Sequence, residues 1–207
     1  MIRTVLTAAA VISLAMPSLA AEPTRAGSFA DVISRGLYDL TLTAPLASPV
    51  GIIKFSNLDI ELEKTPLVDI AAVLGGDISN EGEAGEHMMW TCYRSGDATI
   101  WFRSDGEMGD GKLTILAVEA KAPRAEWNCA VLPSDVYIDT GLPGLGATAA
   151  EVRGKAGQAA VDADGRFSYS GEAPSKTEQG FTIYQDVVYE ERDGTIVAFG
   201  INQLSEG

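Results

Sequence analysis

The chain has 207 residues, a formal net charge of −14 at pH 7, a single histidine and two cysteines. Because so acidic a surface repels polyanions, we expect neither a nucleic-acid partner nor an anionic lipid surface as ligand. The length suits one ordinary domain or two small ones.

The first twenty residues show the three parts of a secretory signal. Arg3 is the only charged residue before Glu22, and residues 5–16 are almost wholly apolar. Residues 17–20 then supply a breaker and a small-x-small cleavage site. A membrane-spanning helix needs about 20 apolar residues, and no segment of the chain reaches that length. We therefore predict cleavage before Ala21, a periplasmic or secreted location, and no membrane span.

Four short elements are predicted in the next part of the chain. Residues 29–37 carry apolar side chains at helical spacing, and Ser28 is a candidate N-cap. The boundary after this helix stays open because Gly36 interrupts the pattern. Alternation predicts strands at residues 38–42 and 58–63, and a short strand is predicted at residues 51–55, after the breaks at Pro45 and Pro49.

A short helix is predicted over residues 67–74, opened by Pro66 and ended by Gly75. Its apolar residues share one face, so it should pack on a sheet. The segments that follow are rich in aromatic and β-branched residues and are separated by glycine-bearing turns. They predict three strands, at residues 90–93, 98–102 and 113–118.

The second half repeats this order. A strand at residues 136–139 precedes a helix at 147–156, which Gly157 ends. Three further strands are predicted at residues 181–184, 187–190 and 195–201, with Asp193-Gly194 as a hairpin turn before the last. The prediction is an α+β fold of two similar units, each a short helix packed on an antiparallel sheet: residues 21–130, with an N-terminal extension, and residues 131–207.

Two landmarks support an internal duplication. Ile70, Leu74 and Gly75 correspond to Val152, Ala156 and Gly157, and residues 114–118 correspond to 195–199. The offset is 82 for the glycines (157 − 75) and 81 for the strands (195 − 114). Coincidence is the alternative, since few identities accompany the shared order.

The lead-in to the second helix resembles the opening of proteins with the β-lactamase-inhibitor-protein-like fold, which include the SmpA/OmlA outer-membrane lipoproteins. The residues that carry the resemblance are Gly141, Leu142, Leu145, Gly146, Ala147, Thr148, Glu151, Val152 and Gly157. The resemblance implies a helical segment packed on a four-stranded antiparallel sheet, here twice, and a binding or assembly role rather than catalysis. The first half departs from the pattern, and the lipid-attachment cysteine of the lipoproteins is missing.

The two cysteines, Cys92 and Cys129, are expected to form a disulfide, because export places them in an oxidising compartment. Two buried free thiols are the alternative.

Aromatic residues are concentrated around Cys92. Trp90 and Tyr93 flank it, and Trp101 and Phe102 lie in the next predicted strand. Neighbouring residues of a regular strand face opposite sides, so one of Trp101 and Phe102 is a candidate for exposure. Exposed aromatics on a sheet suit partner binding, which makes these four residues candidate binding residues. Packing in a core is the alternative.

The chain carries no recognised catalytic or metal-binding motif. His87 beside an acidic loop leaves open a hydrolase-like enzyme that uses carboxylates with this histidine. Two glycine-rich turns carry acidic side chains, at Asp105, Glu107 and Asp110 and at Asp162 and Asp164. Neither turn has the ligand order of a calcium loop, so solvated acids are the interpretation. We predict no catalytic residue, no metal and no cofactor.

These observations favour an exported, non-enzymatic binding protein of the bacterial envelope that recognises another envelope or secreted protein. The alternatives are the hydrolase with His87 and a structural envelope protein without a ligand site. The sequence leaves the oligomeric state open.

Overall fold

The computed structural model describes residues 28–33, 43–82, 87–105, 110–133, 136–175 and 180–207. The predicted signal segment, residues 1–20, and the predicted strand at 38–42 lie outside these residues. The strands are β1 Thr43–Pro45, β2 Ile53–Phe55, β3 Leu58–Ile60, β4 Ser79–Glu81, β5 Met88–Ser95, β6 Ala98–Asp105, β7 Ile115–Glu119, β8 Ala130–Leu132, β9 Ile138–Asp139, β10 Arg166–Pro174, β11 Thr182–Arg192 and β12 Thr195–Glu206. The helices are α1 Leu67–Leu74, α2 Ala149–Ala156 and a 3₁₀ turn, Ala125–Trp127.

Nine strands form one sheet in the order β1-β10-β11-β12-β7-β6-β5-β4, with β8 also pairing with β5. Neighbouring strands are antiparallel except at β1–β10 and β5–β8. A separate small sheet has the order β3-β2-β9. The mixed α/β class is therefore as predicted. Strands of both halves share the large sheet. Strand β8, which spans the predicted unit boundary, pairs with β5, and β9, which follows the boundary, pairs with β2.

One face of the large sheet, which we call face A, is covered by α1, α2 and the small sheet. Its core joins both halves: Leu67 and Ile70 of α1 and Val152 of α2 are buried in one apolar cluster. Phe55 of the small sheet meets Phe102 of β6 edge-on, with ring centroids 5.2 Å apart. The helices are too short to be stable alone, so this burial holds them in place.

The two helices end in the same way but begin differently. Gly75 and Gly157 end them with positive φ angles of 77° and 106°, which favour glycine. At the start of α2 the Thr148 hydroxyl accepts from the Glu151 amide, and the Glu151 carboxylate accepts from the Thr148 amide. This capping box contributes about 1 kcal/mol. Helix α1 begins after Pro66, whose side chain makes no cap hydrogen bond.

The opposite side of the large sheet, face B, carries a second core. It is covered by the 3₁₀ turn and by residues 28–33, which we call the N-terminal segment and which are helical from residue 29. The Ser28 hydroxyl accepts from the Asp31 amide at 3.2 Å, as predicted for an N-cap. Ile33 lies directly over β12, since a Cβ added to Gly200 would be 1.9 Å from its Cδ1 atom.

The helix starts of the two halves make matching backbone hydrogen bonds. The Leu67 amide donates to the Gly111 carbonyl in the first half, and the Ala149 amide donates to the Gly194 carbonyl in the second. Likewise, the Leu113 amide donates to the Thr65 carbonyl, and the Ile196 amide donates to the Ala147 carbonyl. All four distances are 2.9 Å. The helix ends match too, because a tyrosine hydroxyl from the next long strand donates to the final glycine carbonyl in each half. Tyr93 donates to Gly75 at 2.8 Å, and Tyr169 donates to Gly157 at 2.7 Å.

These matching contacts suggest a strand correspondence that differs from the predicted one by two residues. They align Leu113 with Ile196, so the partner of Thr195 is Lys112 rather than Thr114. In the pairing of β7 with β12, Ala117 lies opposite Gly200, the residue to which this alignment also matches it. Leu116 pairs with Ile201 and Val118 pairs with Phe199, and the alignment converts each of these pairs into the other.

Several strands differ from prediction in extent. Strand β10 was not predicted, because serines alternate with its aromatic residues and it contains no continuous apolar run. The two strands predicted at residues 181–190 are one strand, β11. Strand β3 ends at Ile60 because Glu63 turns the chain with a φ of 59°. The Asp193-Gly194 hairpin is present, with positive φ at both residues.

Candidate functional site

The four aromatic residues proposed for binding are buried. Trp90 and Trp101 lie in the core of face B, while Tyr93 and Phe102 lie in the core of face A. None is more than 3% exposed. The expectation that Trp101 or Phe102 is exposed is wrong, because both faces of the sheet are covered at β5 and β6. Trp101 and Phe102 do face opposite sides, and each side has its own core.

The disulfide between Cys92 and Cys129 is present, which confirms the predicted pairing. It joins β5 to the segment after the 3₁₀ turn and brings Trp127 onto face B. The Trp101 and Trp127 rings have centroids 4.8 Å apart and meet edge-on. Closing a loop of this length stabilises by roughly 4 kcal/mol in the chain-entropy model. The bridge and the tryptophans therefore form a structural cover over β5 and β6.

A buried carboxylate lies under the N-terminal segment. Glu119 is 7% exposed, and the Trp101 indole Nε1 donates to its Oε1 atom at 3.0 Å. The backbone amide of Phe29 also donates to it. Burial raises the pKa of Glu119, and these two donors oppose that effect. The group ties the N-terminal segment to β6 and β7.

The part of face B formed by the ends of β10, β11 and β12 lacks such a cover among the described residues. It contains an open cavity of about 620 Å³, which we call the acidic cavity. Its side chains come from three neighbouring cross-strand rows, with Glu206 in the outermost row. The described residues that line it are Ser170, Gly171, Glu172, Tyr184, Gln185, Asp186, Leu204 and Glu206. This volume is in the range of small-ligand sites.

Register explains why these side chains converge. Ser170 pairs with Asp186, and Glu172 pairs with Tyr184, which in turn pairs with Leu204. Residues two apart on a strand share a face, so Asp186 lies on the same face as Val188, which is in the core of face B. The Ser170 hydroxyl donates to Asp186 Oδ1. Burial raises the pKa of Asp186, and this hydrogen bond lowers it by less.

On face A, directly behind the acidic cavity, a chain of amide side chains fixes the strand ends. Gln185 Nε2 donates to Gln203 Oε1 at 2.9 Å, and Gln203 Nε2 donates to Glu63 Oε2 at 2.8 Å. Gln185 also accepts from the Val50 amide at 2.6 Å, and Glu63 accepts from the Ser205 amide at 2.7 Å. Buried networks whose members are all paired give rigidity, so these hydrogen bonds hold the strand ends that form the cavity wall.

The other predicted chemistry is not assembled in the described part of the chain. His87 lies just before β5, half-buried, and no hydrogen bond or ion pair joins it to another described residue. Asp162 Oδ1 accepts from the amides of Asp164 and Arg166, so its carboxylate shapes a turn. Within the described ranges no three His, Cys, Asp or Glu residues are grouped as metal ligands.

Comparison with known proteins gave no match, either to a protein-family model, to a curated protein or to a solved structure. Among the described residues, no helix is both long and apolar enough to cross a membrane.

Sequence reasoning missed the acidic cavity. Four of its side chains, those of Ser170, Glu172, Tyr184 and Asp186, come from β10 and β11. The signal that was available is the alternation around Phe167 and Tyr169, which places serines on the other side of the strand. With β10 recognised, pairing to β11 would have suggested that Ser170 and Asp186 meet.

Proposed function

We propose that the protein is an exported, non-enzymatic binding protein that recognises another protein through the uncovered end of face B, around the acidic cavity. The observation that carries this proposal is the acidic cavity itself, where side chains from three adjacent strands converge on an open depression. Tyr184 at this site is 38% exposed and is one of the few exposed aromatic side chains among the described residues. Aromatic anchors of this kind contribute strongly to protein recognition.

We propose further that the chain consists of two duplicated units, which meet at β7 and β12. The matched hydrogen bonds at the helix starts and helix ends support this. In such an arrangement both helices cover face A, so the surface proposed for recognition is on face B. The resemblance to the β-lactamase-inhibitor-protein-like group remains a hypothesis that agrees with this division of roles.

A periplasmic or secreted location is part of the proposal. The disulfide between Cys92 and Cys129 supports it, because such bonds persist in oxidising compartments. The predicted signal segment makes the same assignment independently.

The experiment is affinity capture of envelope and secreted proteins on the immobilised mature protein, at several salt concentrations. We expect a stoichiometric partner that is retained by the wild type and at least tenfold depleted by Tyr184→Ser. The matched control is Tyr137→Ser, because Tyr137 is 60% exposed and lies on β9's side of the molecule rather than on face B. Capture of no stoichiometric partner, or equal capture by all three proteins, contradicts the proposal and favours a structural envelope protein.

A further inference from the structure

We propose that an extended segment of a partner protein binds by strand addition beside Gly51, with its apolar side chains entering a cavity where the chain segments of β2 and β3 separate. This site lies on the side of face A, so the inference goes beyond the proposed function at the acidic cavity. Three observations carry it: the point at which the β2–β3 ladder ends, the unpaired backbone of Gly51, and the cavity between the two diverging segments.

The ladder between β2 and β3 ends at the pair Ile53–Ile60 because the chain after β3 turns away. The Glu61 amide donates to the Thr65 hydroxyl at 2.9 Å, and the Glu61 carbonyl accepts from the Thr65 amide at 2.9 Å. Glu63 then turns the chain with a φ of 59°. Both backbone groups of Glu61 are therefore used within this turn, and the segment after β3 does not continue the pairing with the residues that precede β2.

Gly51, two residues before β2, is left with an unpaired backbone on the side of β3. Residues 49–52 contain no turn or bend, and the backbone groups of successive residues in such a segment point to opposite neighbours. Ser56 donates to the Tyr137 carbonyl on the side of β9, so Ile53 and Gly51, at the alternate positions, face the side of β3. Within the described ranges, neither the amide nor the carbonyl of Gly51 makes a hydrogen bond. A Cβ added at this glycine would meet no atom within 4 Å, so a partner strand has room to approach.

The gap between the two diverging segments is a cavity of about 480 Å³, which we call the ladder-end cavity. Residues 48–52 line one side, Glu61, Leu62 and Lys64 line the other, and the ends of β10, β11 and β12 form its base. The charges of Lys64 and Glu61 pair with each other at 2.6 Å, and most of the other lining side chains are apolar. Ile52, on the first side, is 51% exposed. The volume is in the range of small-ligand sites, and the lining favours an uncharged apolar occupant.

The unpaired backbone of Gly51 determines that this occupant is a peptide segment. An amide and a carbonyl on the same residue are matched by the carbonyl and amide of one residue in an added strand, which is the arrangement of peptide recognition by strand addition. Gly51 shares a face with Ile53, which is fully buried, and directly opposite residues place their side chains on the same face. The residue that pairs with Gly51 therefore points its side chain into the ladder-end cavity, and its two neighbours point to solvent. The expected ligand is an uncharged extended segment in which apolar and polar residues alternate.

Titration of the mature protein with the peptide acetyl-Thr-Val-Ser-Val-Thr-amide, followed by NMR amide shifts at pH 7.5, tests the site. We expect saturable shifts centred on residues 48–52, 61–64 and 173–174. N-methylation of both valines removes the amides that would face Gly51 and should weaken binding at least tenfold. N-methylation of the serine and the last threonine is the matched control, because those amides face away from Gly51, and it should change the affinity less than threefold. Equal affinities of the two methylated peptides, no saturable shifts, or shifts elsewhere only overturn the proposal.

Two substitutions at one position test the same hydrogen bond from the side of the protein. Gly51→Pro removes the amide, so we expect the affinity for the unmethylated peptide to fall at least fivefold. Gly51→Ala keeps the amide and adds a Cβ in open space, so it should leave the affinity unchanged within twofold. Thermal unfolding checks that both variants fold, and the methylated peptides decide on the wild type if Gly51→Pro does not. Full affinity of folded Gly51→Pro overturns the proposal.

The outcome at this site is independent of the outcome at the acidic cavity. Partner capture that depends on Tyr184, without binding of the peptide, would overturn the strand-addition inference alone. Binding of the peptide without any captured partner would contradict the proposed function alone.

Discussion

The contact between Ile33 and Gly200 gives a sharp test of how the N-terminal segment is held on face B. A Cβ at position 200 would lie 1.9 Å from Ile33 Cδ1 and 2.8 Å from the Leu116 carbonyl oxygen. Carbon atoms pack at about 3.5–4.0 Å, so the Ile33 methyl must move by roughly 2 Å. Overpacking of this kind costs about 1–3 kcal/mol. We expect Gly200→Ala to lower the free energy of unfolding by about 2 kcal/mol.

A double-mutant cycle isolates this contact. Ile33→Val removes the clashing methyl and costs about 0.5–1.5 kcal/mol by itself. In the double variant the loss should be about 1 kcal/mol smaller than the sum of the single losses, because the added Cβ no longer meets the Ile33 Cδ1 methyl. The contact of that Cβ with the Leu116 carbonyl is present with either residue at position 33 and therefore cancels from the cycle. Urea unfolding followed by tryptophan fluorescence measures all four proteins. Gly154→Ala is the control, since no atom lies within 4 Å of its added Cβ and the helix should gain about 0.5–1 kcal/mol. Losses that add within about 0.3–0.5 kcal/mol refute the docking of Ile33 over β12.

Two further predictions concern buried polar groups. Burial raises the pKa of Glu119 above its ordinary 4.5, so the folded protein binds this proton more tightly than the unfolded chain does. The stability of the wild type therefore falls as pH rises from 4.5 through the raised pKa, and Glu119→Gln should gain stability relative to the wild type over that range. A difference in unfolding free energy between the two proteins that does not change between pH 4 and 8 contradicts this. Tyr93→Phe and Tyr169→Phe each remove a hydroxyl that donates to a helix-ending carbonyl. Each should cost about 1 kcal/mol in urea unfolding, and a cost confined to one of them argues against equivalent units.

The sequence predicted α1 with the observed bounds and α2 with the observed end but a start two residues early. Pro66 begins α1, and Gly75 and Gly157 end the two helices, because proline and glycine at positive φ act locally on the backbone. Such signals need no knowledge of the rest of the chain. The disulfide could also be predicted, since the two cysteines of the chain have only each other as partners.

The burial of Trp101 could not be predicted in the same way. Alternation in β6 shows that Trp101 and Phe102 face opposite sides, but it does not show what covers each side. The cover on face B comes from residues 28–33 and from Trp127, both remote from β6 in sequence. The backbone hydrogen bonds that relate the two halves, such as that from Leu67 to Gly111, were equally inaccessible, because they join segments that are remote in sequence.

The acidic cavity is open on face B, and the strand ends that form it are held by hydrogen bonds on face A, which favours binding without rearrangement. Ordering a loop on binding costs free energy, whereas side chains on paired strands are already placed. The strand ends that carry Tyr184 and Leu204 are tied from behind by Gln185 and Gln203, which pair with each other at 2.9 Å. Glu63, whose positive φ lies in the turn after β3, completes this tie by accepting from the Ser205 backbone amide. A residue in the turn after β3 thereby helps to hold the proposed recognition site on face B, so Glu63→Ala should weaken capture of the partner although Glu63 does not line the cavity.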